Sequence, residues 1–133
     1  MPRCYFHINN PAIREVVGVM KNGRQVFELV ESLVLHIDVN GLNGGILINV
    51  PAGYRTDFAS VPRLFWRVFP PIGPYSRAAI IHDYFYTNAT GASRFFADSF
   101  FREVMRNLDV PPWKRIAMFY AVRIGGAKGW KHY

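Results

Sequence analysis

The residues that most constrain this chain are His82, Asp83 and Tyr86, followed by Asp98 sixteen positions after His82. Between the two clusters, residues 87–93 are rich in Thr, Asn, Gly and Ser and read as a turn. Helical periods flank that turn, at 76–86 and at 94–108. Two helices joined by so short a loop run antiparallel. His82 lies four residues before the end of the first helix, and Asp98 four residues after the start of the second. The two side chains are therefore predicted at matching height, face to face. Tyr86, one turn beyond His82 on the same face, is placed to hydrogen-bond Asp98.

Three readings of this constellation are open on sequence alone. A histidine held by a carboxylate has its tautomer fixed and its basicity raised, so its second nitrogen can activate water or take a proton. On that reading His82 and Asp98 form a catalytic dyad with Tyr86 in support. A metal site is the second reading. Asp83, about 100° around the helix from His82, would hold a hard cation, calcium or magnesium, with Asp57 as a further carboxylate and Ser60 as a nearby hydroxyl. The third is a buried structural clasp. Ile80, Ile81, Phe85, Phe95 and Phe96 are apolar enough to cover the pair, and buried charges need partners. Arg63 or Arg94 would neutralise Asp57 or Asp83 in the same way.

A length of 133 residues suits one domain with a real core, and 50 % hydrophobic residues exclude disorder. No apolar run approaches the ~20 residues that span a bilayer, and the first residues lack the apolar stretch of a signal peptide. One cysteine, Cys4, excludes an internal disulfide and a cysteine metal cluster. His7, His36 and His132 show no zinc-ligand spacing. The net charge is +7, with eight of the cations, Arg94 to Lys131, in the last third. That implies an anionic neighbour or a solvated basic face; phospholipid and acidic protein fit, and no nucleic-acid-binding motif is present.

The chain reads as a single α+β domain: β-rich 1–57, a Pro-rich connection 58–75, helical 76–126 and a basic aromatic tail 127–133. Residues 16–20 and 25–30 form a hairpin about Asn22-Gly23. Further strands are predicted at 32–37 and 46–50, giving an antiparallel sheet of three to five short strands. Asp57 is placed to cap a turn holding Ala59 and Ser60, and the stiff segment 68–74 is expected to wall one side of the His82 region. A layer of about three helices should cover the sheet. Ser93 is the predicted N-cap of the second, which carries a Phe96, Phe100, Val104, Leu108 stripe with Ala97, Phe101 and Met105 beside it. The third starts near Pro111-Pro112, stops at Gly125-Gly126, and turns Trp113, Ile116, Ala117, Tyr120 and Ile124 inward.

Two resemblances extend this reading. His82-Asp83-x-x-Tyr86, with Asp98 on the facing helix, resembles the His-Asp helix of the secreted phospholipases A. It implies a water-activating His82, an orienting Asp98 and a calcium-binding Asp83. This likeness is confined to the hairpin, in a chain with none of that family's disulfides.

The longer motif order is Val50-Pro-Ala-Gly53, Thr56-Asp-Phe-Ala-Ser-Val-Pro-Arg63, the His82 helix, Ala97-Asp98-x-x-Phe101, and Ala121-Val122-Arg123-x-Gly-Gly126. That order resembles a domain-of-unknown-function family of small phage and prophage proteins, with Ser60 and Arg63 inside its motif. It implies a virion protein of the tail or baseplate, made in the host cytoplasm and working in several copies against other particle proteins. The rival is a small hydrolase with a His-Asp dyad, acting on envelope lipid or peptidoglycan during entry or lysis.

Overall fold

The computed structural model describes residues 4–21, 24–39, 46–57, 75–88, 93–126 and 130. The chain divides into two compact units, Met1–Asp57 and Phe58–Tyr133. Together the elements make an α+β chain: six strands followed by three helices.

In the first unit the strands are β1 (Cys4–Ile8), β2 (Ile13–Lys21), β3 (Arg24–Leu29), β4 (Leu33–Val39), β5 (Ile46–Val50) and β6 (Arg55–Thr56). They form two antiparallel three-stranded sheets, β1-β4-β5 and β2-β3-β6, where one sheet was expected. The hairpin was read correctly: β2 and β3 pair antiparallel, Lys21 opposite Arg24; the predicted Asn22-Gly23 turn lies outside the described residues. β2 shifts register between Glu15 and Met20, where Gly18 has a φ of 82°, the left-handed region open to glycine.

Polar groups tie each sheet together. Glu28 accepts from Arg14 at 2.6 Å and from Arg55 at 2.8 Å, and these three residues are register neighbours across β2, β3 and β6. The two guanidiniums hold the Glu28 carboxyl below its ordinary range, chiefly through the Arg55 hydrogen bond. On the other sheet Asn9 joins β1 to β4: its side chain donates to the Ser32 carbonyl and accepts from the Val34 amide, both at 2.8 Å. Val26, Phe27, Leu29, Leu33, Leu35 and Val50 are buried along these strands.

In the second unit the helices are α1 (Ser76–Thr87), α2 (Arg94–Asn107) and α3 (Pro112–Gly125). α2 packs against both α1 and α3. Ser93 caps α2 as predicted, its hydroxyl accepting from the Phe96 amide at 3.0 Å, and Pro112 opens α3.

Two predicted faces are rotated. On α2 the buried residues are Ala97, Asp98, Phe101, Val104 and Met105, because the stripe that faces the core must carry Asp98. Phe96 and Phe100 stack at 5.7 Å beside it, with Phe85 edge-on to both. On α3 the buried side is Met118, Ala121 and Val122. The face predicted to be inward is largely outward: Trp113 is 59 % exposed, Ile116 52 %, Tyr120 59 % and Ile124 84 %. α3 is apolar on two opposite sides, so its periodicity alone does not choose between them.

Candidate functional site

The α1–α2 pair brings His82 and Asp98 together as the spacing predicts. His82 Nε2 lies 2.6 Å from Asp98 Oδ1. The Tyr86 hydroxyl donates to the same Oδ1, also at 2.6 Å. The third donor was missed by sequence reasoning: Arg123 Nη1, from the last turn of α3, reaches Asp98 Oδ2 at 2.8 Å. One carboxylate thus ties together all three helices. The signal for Arg123 lay in the Ala121-Val122-Arg123 motif, but its charge was counted among the solvated cations of the last third.

This network is closed. The side chains of His82 and Asp98 are both fully buried, and Tyr86 is equally inaccessible. The imidazole stands between two rings, with centroids at 4.3 Å from Tyr86 and 4.6 Å from Phe101. Trp130 meets Tyr86 edge-on at 5.2 Å. Gly126 lies so near that a Cβ there would stand 2.8 Å from the Tyr86 hydroxyl. Of the four residues, Arg123, with a side chain 31 % exposed, is the one that reaches solvent.

The electrostatics follow from the same contacts. Burial pushes the Asp98 carboxyl up, but the hydrogen bonds from His82, Tyr86 and Arg123 outweigh it and hold the group below the ordinary carboxylate range. Asp98 is therefore ionised and can only accept, so His82 presents Nε2–H to it. The Tyr86 hydroxyl is pushed well above its ordinary value by burial, and further by its bond to the Asp98 anion. It stays a donor. The geometry supports a fixed tautomer and a compensated buried anion. It brings none of the four polar groups against open solvent except the Arg123 guanidinium.

Asp83 is buried on α1, and Asp57 is buried at the end of the first unit. Among the described residues no group of three His, Cys, Asp or Glu side chains is placed to hold a metal ion. Ser60 and Arg63 lie outside the described residues, as do the turn with Ala59 and the segment 68–74. Arg94, expected to neutralise Asp57 or Asp83, instead donates to the Val122 and Arg123 carbonyls at 3.1 and 2.6 Å, closing the C-terminal end of α3. His7 and His36, which show no ligand spacing in sequence, are direct partners in the β1–β4 register. No helix among the described residues is long and apolar enough to cross a membrane.

The comparisons with known proteins give a family but assign no activity. Residues 29–122, from the end of β3 through most of α3, match the family described as protein of unknown function DUF1353. The uncharacterized protein y4jT of Sinorhizobium fredii (strain NBRC 101917 / NGR234) is 36 % identical over 105 residues, which is 77 % of this chain and 30 % of that protein. The chain thus spans under a third of the length of that relative. No solved structure matches it. With the match running through the helices that carry His82, Tyr86 and Asp98, the chain belongs to the DUF1353 family.

Proposed function

We propose that this protein is a non-catalytic structural or accessory component of a phage particle, part of the tail or baseplate, acting through protein–protein contacts. The observation that carries the non-catalytic half is the closed network at Asp98. A hydrolytic dyad needs its free imidazole nitrogen within reach of a water and a substrate. Here the His82 side chain is fully buried between two aromatic rings. Such a network holds three helices in register, and a carboxylate with three donors is well compensated. The particle half rests on the motif order that resembles phage and prophage proteins, and on a surface carrying several large apolar side chains. Mass spectrometry of particles from a phage encoding this chain tests it. The chain should be present in fixed copy number; particles that lack it while infected cells contain it would overturn the assignment.

A hydrolase reading is favoured by one observation, the 2.6 Å pairing of His82 with Asp98 alongside Tyr86. It would add a calcium or magnesium ion at Asp83. A melting temperature raised by either ion in the parent, and not in Asp83→Asn, would support that ion site. Release of fatty acid or muropeptide that is lost in His82→Ala would establish the enzyme.

A further inference from the structure

α3 turns two apolar sides outward and inward at once, and only the inner one has a place in the core. The outer stripe is Trp113, Ile116, Tyr120 and Ile124, each more than half exposed. These positions recur at helical spacing on the side opposite Met118, Ala121 and Val122. The same helix carries Lys114, Arg115 and Arg123 and no acidic residue. Two of its cations stand beside exposed aromatic rings. Lys114 Nζ lies 5.4 Å from the Trp113 ring centroid, and the Arg123 guanidinium 5.3 Å from that of Phe95, itself 62 % exposed on α2. The apolar strip therefore continues from α3 onto the start of α2, with Lys114 beside it at one end and Arg123, whose guanidinium also pairs with Asp98, at the other.

We propose that this outer face of α3 docks on an anionic phospholipid surface, which goes beyond the particle role described above. Charge and area select that occupant. A second copy would bring another chain of net charge +7 against the same cations, a like-charge contact. The α3 stripe spans twelve residues, eleven steps or about 17 Å at 1.5 Å per residue, so its footprint is on the order of 200 Å². A stable protein interface needs about 800 Å² from each partner. A lipid headgroup layer has no such requirement. A convex helix lies in it with Trp and Tyr at the boundary, aliphatic side chains below, and Lys and Arg reaching to phosphate.

Flotation of the full chain with vesicles tests this. The probes are phosphatidylcholine vesicles with and without about one-third phosphatidylglycerol. The variant is Ile116→Glu with Ile124→Glu, two exposed positions whose change leaves the core intact, verified by an unaltered circular dichroism melt. The parent should float only with the anionic vesicles, and the double variant should lose about tenfold or more in partitioning. Equal flotation of parent and variant would overturn the proposal, as would binding to phosphatidylcholine alone or no binding at all. Failure to float, combined with self-association or polyglutamate binding that the double variant abolishes, would overturn it in favour of a second copy or an acidic protein.

Discussion

Asp98 gathers three donors from three different positions in the chain, and its ionisation governs what they contribute. In the unfolded chain an aspartate takes up its proton near pH 4. In the fold the net effect of its surroundings holds the carboxyl below that value. As the pH falls through the unfolded value toward the folded one, the unfolded state binds more protons and stability is lost; above that window the contribution is complete. Urea unfolding between pH 7 and pH 3 should show this acid loss in the parent. Asp98→Asn should start less stable and show a shallower loss. An equal acid slope in both would mean that Asp98 does not carry it. At this scale the sequence was partly legible. His82, Tyr86 and Asp98 follow from helical spacing within one hairpin, where geometry is local. Arg123 comes from 25 residues away, and nothing in the spacing of α3 marks it as a partner.

At the scale of elements, the α1–α2 pair was the most readable part because a short turn between two strong helical periods leaves few arrangements. The orientation of α3 was not readable, since both of its sides are apolar and the choice depends on which one meets α2. The division of six strands between two sheets was hidden for a related reason: β1 pairs with β4, and β3 with β6, across long stretches of chain. The end of α3 offers a direct test of how tightly the helices are joined. Gly126 has an ordinary helical φ of −83°, so its lack of a side chain answers to space and not to backbone conformation. Gly126→Ala should push the Tyr86 ring away from Asp98 and cost about 1–3 kcal/mol in urea unfolding. The adjacent exposed Gly125→Ala should be neutral or stabilising by up to about 1 kcal/mol. Equal effects at the two glycines would show that Tyr86 is not confined there.

For the molecule as a whole, the +7 charge and the outward apolar side chains point to contacts with other bodies, while the polar residues that looked most like chemistry are turned inward. The sequence showed that His82 and Asp98 would meet. It did not show whether they would be covered, because covering depends on rings from Phe101 and Tyr86 and on the approach of α3. The central claim is that this pair is a structural clasp. It is tested most directly by the unfolding free energy of His82→Ala against the parent, measured in urea at neutral pH. The clasp predicts a loss of about 1–3 kcal/mol, because Asp98 is left buried without one of its donors. A variant as stable as the parent would contradict it.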